Sequence, residues 1–319
     1  MQDLATVLKD FQKRFPALTE SRAADAFEAI QQDEEVKAFF NDNQAALKPD
    51  ALVVSITDLF EFVREKKRVK EGKQALYPGY HPRLVLEKGY PHVAYEPSED
   101  TKKALRQAAL LKSVAVPKSV AKADLNQIVS EVQDDEGRAP AVAAVVATFS
   151  ALVNKENQRG TNDDFVPGVY LSGDFGIGKT YLMGALANAL AYNGIGVMMV
   201  HWSTMIERLK GSFGSNGDQS LLDMIDEAKK APVLILDDLG ADTLSSWSRD
   251  SVLAVILEYR MQHELTTCFT SNFDLDSLEK YLAQTRDGQE PGKAARLMQR
   301  VLFLSKPVAM AGKNRRLDR

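Results

Sequence analysis

The first part of the chain carries a helical pattern of apolar residues. Leu4, Leu8, Phe11 and Phe15 recur at intervals of three or four residues, which is the spacing of one face of an amphipathic helix. A threonine and a serine further along are available as N-cap residues for a following helix. We therefore expect residues 2–47 to form a small helical unit.

A different composition marks the stretch from residue 77 to residue 95. Prolines and glycines interrupt its short apolar runs at Pro78, Gly79, Pro82, Gly89 and Pro91. Such punctuation disfavours a helix and predicts a small β-rich element over residues 77–95. Helical spacing resumes over residues 99–111, so the pattern predicts an N-terminal domain that spans residues 1–115.

From residue 116 to residue 319, apolar runs alternate with helical patterns. The candidate strands are residues 169–171, 197–200, 233–236, 268–269 and 308–309. Strands interleaved with helices predict an α/β domain, in which a parallel sheet is covered by helices on both faces.

The composition agrees with two folded domains and adds little chemistry. The chain has 319 residues, of which 45% are hydrophobic and 26% charged, as in ordinary globular proteins. Cys268 is the one cysteine, so no disulfide framework is possible. The start lacks a secretory signal, and no apolar run approaches the length of a membrane span. We expect a cytoplasmic protein with no membrane partner.

The net charge of −4 gives no global attraction to nucleic acid, so contacts with DNA would have to come from local patches. Residues 64–73 hold six basic residues against two acidic ones, and residues 313–319 hold four against one. Charge runs of this kind are more often solvated faces than binding sites, so they are weak evidence for a nucleic-acid partner.

The strongest chemical pattern lies at residues 173–180. Gly173, Asp174, Phe175, Gly176, Ile177, Gly178, Lys179 and Thr180 match the phosphate-loop motif G-x-x-x-x-G-K-[ST] without a gap. The match follows a predicted strand and opens a predicted helix, which is the context that the motif requires. Backbone amides and the helix N-terminus would hold the phosphates of ATP, with Lys179 at the β- and γ-phosphates and Thr180 on Mg²⁺. The alternative is a glycine-rich turn that binds nothing.

Two carboxylates follow the strand predicted at residues 233–236. Asp237 and Asp238 stand at its C-terminal end, where α/β sheets bind ligands. One acid is enough for Mg²⁺, so we assign Asp237 to the metal and Asp238 to polarising the water that attacks the γ-phosphate. Paired acids after a strand can instead cap a helix.

Two further groups complete the candidate site. Asn272 follows the next strand, where its amide would contact the γ-phosphate or the attacking water, although asparagine there is also a common turn residue. Arg296 and Arg300 are four residues apart and project from one helix face. Such arginines are ordinarily solvated, but in a ring or spiral ATPase they would reach a neighbour's γ-phosphate.

The order of these motifs resembles the bacterial helicase loaders of the DnaI/DnaC family, with DnaI as the nearer likeness. The resemblance rests on the phosphate loop, DDLG at 237–240, TSNF at 270–273, the helix with Arg296 and Arg300, and GKNRR at 312–316. It extends upstream through YHPRLV at 80–85, YEPS at 95–98 and AVPK at 115–118. It covers most of residues 75–319, whereas the residues before it match only in being helical.

The resemblance implies an AAA+ ATPase domain that uses ATP and Mg²⁺ and self-associates through AAA+ interfaces. It also implies an N-terminal domain that binds the hexameric replicative DNA helicase and helps to place it on single-stranded DNA. In the same likeness Asn272 corresponds to sensor 1, Arg300 to the trans-acting arginine finger, and Arg315 or Arg316 to sensor 2. Arg296 is a companion of Arg300.

For single-stranded DNA the resemblance implies contacts at Lys210, Phe213 and Trp247, since a basic groove with aromatic rings suits an unpaired strand. Phe213 is also a plausible core residue. Some relatives hold zinc in the N-terminal domain, but this chain lacks the cysteines and offers only His81 and His92 in that stretch. We therefore expect no zinc.

Three other hypotheses stay open. An ATPase that accompanies transposases, of the IstB type, shares the AAA+ core, but residues 80–95 argue for the loader. A small-molecule kinase would need a mobile lid and would not need the face with Arg296 and Arg300. A non-enzymatic adaptor that binds ATP as a switch remains open, because intact motifs do not report a rate of hydrolysis.

Overall fold

The structure, a computed structural model, describes residues 20–114, 117, 120–132, 135–158, 164–211 and 218–315. The predicted helix with Leu4, Leu8, Phe11 and Phe15 lies outside the described residues, as do Phe213 and Arg316. The chain divides into two compact units, one that ends at Lys103 and one that begins at Ala104. No helix in the described part is long and apolar enough to cross a membrane.

The first unit packs helices against a β-hairpin. Its elements are α1 (Glu20–Gln32), α2 (Glu34–Asp42), α3 (Ala51–Val54), α4 (Ile56–Lys70), β1 (Tyr80–Glu87) and β2 (Tyr90–Pro97). Asp33 caps α2 by accepting hydrogen bonds from the backbone N–H groups of Glu35 and Val36, as expected for an N-cap aspartate. Ile30, Leu59 and Phe62 are at most 1% exposed and lie in one apolar cluster. The predicted helices are thus confirmed from Glu20 to Asp42.

The β-rich element predicted over residues 77–95 is the antiparallel hairpin of β1 and β2. Lys88 and Gly89 form its turn with φ of 52° and 89°, the left-handed pair that suits the twist of two-residue hairpins. Helix α4 anchors the hairpin, since Asp58 accepts a hydrogen bond from Val93 N at 3.2 Å and Glu61 accepts one from Tyr95 Oη at 2.6 Å.

Among the described residues, no group of three or more His, Cys, Asp or Glu side chains is arranged to hold a metal.

Helix α5 (Glu99–Leu110) spans the division between the two units. It leads into β3 (Leu111–Val114), which pairs in parallel with β5 (Val197–His201) and forms an edge of the main sheet. The compact units divide after Lys103, whereas the sequence predicts a domain boundary near residue 115, which stays a prediction. The difference arises because the short run before the expected boundary is a strand of the second unit, which its mixed polar and apolar sequence does not indicate.

The second unit contains a six-stranded sheet with the order β10-β4-β7-β6-β5-β3, in which every neighbouring pair is parallel. Besides β3 and β5, the strands are β4 (Gly168–Ser172), β6 (Val233–Asp237), β7 (Thr267–Ser271) and β10 (Ser305–Ala309). All five predicted strands are confirmed. The carboxyl ends of β4, β7, β6 and β5 therefore lie side by side at one edge of the sheet.

Helices connect these strands. They are α6 (Leu125–Glu131), α7 (Ala139–Asn157), α8 (Lys179–Tyr192), α9 (Trp202–Gly211), α10 (Asp218–Lys230), α11 (Ala254–Gln262), α12 (Leu275–Ala283) and α13 (Pro291–Leu304). Shorter elements are a 3₁₀ turn at Val120–Lys122, a π-helical segment at Ser248–Leu253, and a small ladder of β8 (Gln284–Thr285) with β9 (Gly288–Gln289).

Alternate residues of each central strand enter different cores. In β6, Val233 and Ile235 belong to one apolar cluster, whereas Leu234 and Leu236 belong to another. Because successive side chains of a strand point to opposite faces, each cluster fills one side of the sheet. The predicted parallel sheet with helices on both faces is therefore confirmed.

Candidate active site

The phosphate loop joins β4 to α8. Gly178, with φ of 101°, immediately precedes the helix, and Gly173 and Gly176 have φ of 147° and 77°. A Cβ atom at Gly173 would lie 2.0 Å from Met310 O, and one at Gly176 would lie 2.1 Å from Asn314 Oδ1. Gly173 therefore requires glycine, since a side chain would clash with the backbone after β10, and the positive φ of Gly176 favours glycine there.

Lys179 lies at the first position of α8 and is 7% exposed. Its ammonium group donates hydrogen bonds to Gly173 O at 2.7 Å, Asp174 O at 2.8 Å and Asn272 Oδ1 at 2.7 Å. These acceptors are neutral oxygens, so they orient the cation without cancelling its charge. A cation fixed at a helix N-terminus is a suitable group for neutralising phosphate.

Asp237 ends β6 and is 1% exposed. Its Oδ1 accepts hydrogen bonds from Thr180 Oγ1 at 2.9 Å and Thr270 Oγ1 at 2.6 Å. Burial raises the pKa of the Asp237 carboxyl, and the two hydroxyl groups oppose this effect. A carboxylate beside a threonine hydroxyl supplies the oxygen ligands that Mg²⁺ prefers, so these residues fit the metal that the phosphate-loop motif implies.

Asp238 adopts a left-handed backbone conformation with φ of 59°, which is uncommon for a residue other than glycine and is held here by hydrogen bonding. Its backbone N–H donates to Thr270 Oγ1 at 2.8 Å. The carboxylate accepts a hydrogen bond from Asn272 Nδ2 at 3.3 Å and lies 3.6 Å from His201 Nε2. This carboxylate raises the pKa of His201. Strain at a carboxylate in a cleft is typical of functional sites.

Asn272 lies between the phosphate-loop lysine and the second acid. Its Oδ1 accepts from Lys179 at 2.7 Å, and its Nδ2 donates to Asp238 at 3.3 Å. The neighbours fix this orientation, because the ammonium group can only donate and the ionised carboxylate can only accept. The amide therefore links the phosphate-loop lysine to the second acid.

These groups border a cavity of about 600 Å³. Its lining residues are Pro117, Val120, Arg138, Phe175, Gly176, Gly178, Lys179, Thr180, Tyr181, His201, Asp237, Asp238, Thr270, Asn272 and Arg315. The backbone of Arg315 is joined to the phosphate loop, since its backbone N–H donates a hydrogen bond to Gly176 O at 3.0 Å. Of the predicted loop residues, Gly173, Asp174 and Ile177 do not line the cavity, and Ile177 is 1% exposed within the apolar core.

The comparisons with known proteins agree over both units. A family model of the primosomal protein DnaI N-terminus matches residues 1–95, and a model of IstB-like ATP-binding proteins matches residues 163–319. The replicative helicase loader DnaI of Bacillus subtilis (strain 168) is 31% identical over 316 residues, which cover 96% of this chain and 94% of DnaI. The chain belongs to the DnaI family.

Two other relatives match shorter segments. The replicative helicase loader DnaC of Buchnera aphidicola subsp. Baizongia pistaciae (strain Bp) is 23% identical over 133 residues, or 42% of this chain and 53% of that protein. A solved crystal structure of DnaI is 35% identical with a TM-score of 0.52, covering 66% of this chain and 99% of that chain. For this member of the DnaI family, ATP binding therefore follows from both the cavity and the family.

The two arginines of α13 are placed differently from the rest of the predicted site. Neither Arg296 nor Arg300 lines the cavity of its own chain. Arg300 pairs with Glu258 of α11 and donates to Ala254 O at 3.4 Å, so its guanidinium group is held against the neighbouring helix. Arg296 is exposed, and its Nε donates to Gly292 O at 3.2 Å within the same helix.

Of the three residues that the DnaI likeness assigns to DNA, Lys210 and Trp247 lie in the described part of the chain. Lys210 is exposed near the end of α9 and lines a separate cavity of about 230 Å³ together with Asp242 and Arg286. Trp247 is half-buried and packs against one of the two cores of the ATPase unit. Phe213, the third candidate, lies outside the described residues.

The structure adds cavity residues to which the sequence assigned no role, among them His201, Thr270 and Arg138. His201 ends a strand beside Asp237, and a polar residue after an apolar strand would have indicated it. Thr270 accepts a hydrogen bond from the backbone N–H of Asp238 and donates one to Asp237, and it is the first residue of the TSNF motif, which gave it no role of its own. Arg138 comes from the segment before α7, where one arginine among polar residues gives no signal.

Proposed function

We propose that this protein is an ATP-dependent loader of the hexameric replicative DNA helicase onto single-stranded DNA, during initiation or restart of replication. The proposal is supported by the DnaI of Bacillus subtilis, a protein named as a replicative helicase loader, which aligns along 96% of this chain. It is also supported by the match of residues 1–95 to a DnaI-specific N-terminal model, which a general ATPase would not require.

The two units have different roles in this proposal. The N-terminal unit binds the helicase, and the unit that begins at Ala104 binds and hydrolyses ATP. This division is supported by the separate family models, one ending at residue 95 and the other beginning at residue 163. The hairpin of the N-terminal unit is anchored to α4 through Asp58 and Glu61, so no metal is needed in this role.

The proposed ATPase activity depends on ATP binding, which a chain of hydrogen bonds along the cavity supports most directly. Lys179, Asp238 and Asn272 form one hydrogen-bonded chain along the edge of the cavity. The amides of the phosphate loop and Lys179 hold the phosphates, while Arg315 is the sensor 2 candidate that the described residues contain. Thr180 and Asp237 would hold Mg²⁺, which would neutralise charge on the β- and γ-phosphates.

Hydrolysis follows from the same chain of groups. Asp238 polarises the attacking water and receives its proton, because of the two acids that line the cavity it is the one hydrogen-bonded to Asn272. Asn272 holds that water in line with the γ-phosphate, and Lys179 offsets charge on the phosphates. Arg300 of a second copy stabilises the charge on the γ-phosphate, so the protein self-associates through AAA+ interfaces.

Co-purification from the native host tests the loader role. The full-length protein with an affinity tag should retain the hexameric replicative helicase, and a fragment of residues 1–103 should retain it without nucleotide. The matched control is a fragment of residues 104–319, which should not retain the helicase. Helicase binding confined to that second fragment, or stoichiometric zinc in the first by elemental analysis, would contradict the division of labour.

A second candidate function is the ATPase partner of a transposase, which the IstB-like match over residues 163–319 favours. Recovery of a transposase in place of the helicase would support it. Steady-state phosphate release with and without single-stranded DNA addresses the remaining hypothesis, a nucleotide-binding adaptor. The loader should hydrolyse ATP at a rate that single-stranded DNA changes, whereas an adaptor would bind ATP without measurable turnover.

A further inference from the structure

Arg138 is a buried arginine whose hydrogen-bonding groups are not all used. It immediately precedes α7 and is 1% exposed. Among the residues that the structure describes, its Nε and Nη1 groups are buried and have no hydrogen-bond partner. Arginine is charged at every ordinary pH, and burying an uncompensated charge is strongly unfavourable. Such an arrangement calls for an anion that the described residues do not supply.

The position of Arg138 indicates where that anion lies. Arg138 lines the cavity of about 600 Å³ together with Gly178 and Lys179. Its Nη2 is 3.6 Å from the point that a Cβ atom would occupy at Gly178, the last glycine of the phosphate loop. The guanidinium group therefore lies against the loop, next to the residue that opens helix α8.

The charges around Arg138 also favour an anion. Burial lowers the pKa of Arg138 first, and the positive charge of Arg315 lowers it further. Asp135 and Glu131 partly offset this effect, but both form ion pairs with Arg315, at 3.9 Å and 3.7 Å. Arg138 therefore shares the cavity with a second arginine and has no ion pair of its own among the described residues.

Arg260 shows how the same fold satisfies an arginine that has a structural role. It is 0% exposed and does not line the cavity. Its guanidinium donates to Thr267 Oγ1 at 2.8 Å and to four carbonyl oxygens, those of Ala228, Lys229, Ala231 and Thr266, at 2.7–3.1 Å. Packing of a buried arginine therefore does not by itself leave donors unused.

We propose that Arg138 is a nucleotide-binding residue whose unused donors bind phosphate oxygens of the nucleoside triphosphate beside Gly178. The inference rests on the proposed ATP binding and adds a contact that the phosphate-loop motif does not contain. The planar guanidinium group suits phosphate because two N–H groups can bind two oxygens at once. The bound nucleotide would also supply the missing partner for the buried charge.

The test compares Arg138→Met with Arg260→Met in the full-length protein. Thermal unfolding should show that Arg138→Met leaves the melting temperature of the nucleotide-free protein unchanged or higher, because an uncompensated charge is removed. Titration should show that its affinity for MgATP falls by about tenfold or more, the loss expected for charge-assisted hydrogen bonds. Arg260→Met should do the reverse, lowering the melting temperature and leaving the affinity of the folded protein unchanged.

Binding of inorganic tripolyphosphate, which has no base or sugar, tests whether Arg138 contacts the phosphate groups. Arg138→Met should weaken its binding as much as that of MgATP, and Arg138→Lys should restore part of both. Three results would overturn the proposal: wild-type affinity in Arg138→Met, a melting temperature lowered as in Arg260→Met with affinity retained, or a loss for MgATP but not for tripolyphosphate. If the wild-type protein itself bound no ATP, the proposed function would fail as well, so the two failures are distinguishable.

Discussion

The nucleotide cavity and helix α13 both carry basic side chains, but they use them differently. In the cavity, Lys179 is hydrogen-bonded to Asn272, which is in turn hydrogen-bonded to Asp238. On α13, Arg300 pairs with Glu258 of a neighbouring helix and does not line the cavity. The groups proposed to bind ATP therefore come from one chain, whereas the arginine proposed for the transition state does not line the cavity of its own chain.

This difference suggests that binding and hydrolysis depend on different numbers of subunits. Binding should need one folded chain, because the cavity residues all come from the unit that begins at Ala104. Hydrolysis should need a second copy that brings Arg300 to the cavity. An Arg300 variant that impairs ATP binding and ATP hydrolysis equally, or impairs neither, would contradict this difference.

The largest effect is expected from Lys179→Ala. The ammonium group that offsets the β- and γ-phosphate charge is lost, so ATP binding should fall below detection in a fluorescence or calorimetric titration. Lys210→Ala is the matched control, since this lysine is exposed and lines a different cavity. It should bind ATP as the wild type does. Equal affinity of Lys179→Ala and wild type would remove the phosphate-loop assignment.

Arg300→Ala should keep ATP affinity near normal and lower steady-state phosphate release by about 10³-fold, as in other finger-dependent NTPases. Arg296→Ala is the control, because Arg296 lies one helical turn away, is exposed and bonds only within its helix among the contacts described. It should change turnover far less.

Mixing two inactive proteins sharpens the Arg300 prediction. Arg300→Ala has an intact phosphate loop and Lys179→Ala has an intact finger, so some mixed interfaces would contain one of each. Phosphate release should partly recover at concentrations where the protein self-associates. If mixed assemblies form and the mixture remains as inactive as either variant, Arg300 does not act in trans.

Asp238→Asn should slow ATP hydrolysis without weakening ATP binding, although both processes use the same cavity. The amide cannot accept a proton from the attacking water, so turnover should fall by about 10²-fold or more while ATP affinity is retained. Rapid-quench measurement of a single turnover would show whether the chemical step is the one that slows. A parallel loss of affinity would instead mean that Asp238 helps to hold the nucleotide.

Much of the fold could be predicted because its local signals agree. The five central strands are apolar runs between helical patterns, and the hairpin of the N-terminal unit is bounded by prolines and glycines. The edge strand Leu111–Val114 could not be predicted, because it is short and its parallel pairing with β5 depends on contacts distant in sequence. The sequence did not indicate that the compact units divide before this strand, for the same reason.

The candidate site divides in the same way. The phosphate loop and Asp237–Asp238 could be found because one contiguous motif fixes the chemistry and the following helix or preceding strand fixes the place. Arg138 could not, since its local sequence gives no signal and it reaches the cavity only through the packing of separate elements. His201 and Thr270 directly follow predicted strands, but only the packing of the sheet brings them into contact with Asp237 and Asp238.

Thr270→Val should give the smallest of these effects and tests how the two acids are held. The hydroxyl of Thr270 donates to Asp237 Oδ1 at 2.6 Å and accepts from Asp238 N at 2.8 Å, and valine keeps the shape without either bond. Losing both buried partners should lower the free energy of unfolding by about 1–3 kcal/mol. Turnover should fall by about tenfold, because a hydrogen bond worth about 1.4 kcal/mol of positioning corresponds to that factor.

Thr267→Val on the same strand is the control that makes this last result interpretable. Thr267 is 0% exposed, against 1% for Thr270, and likewise has two hydrogen bonds, from Arg260 Nε at 2.8 Å and to Leu265 O at 3.0 Å, but it does not line the cavity. Chemical denaturation should show a comparable loss of stability for both variants, while phosphate release falls only for Thr270→Val. Equal turnover in the two would mean that the hydroxyl of Thr270 stabilises the strand and does not position Asp237 or Asp238 for the reaction.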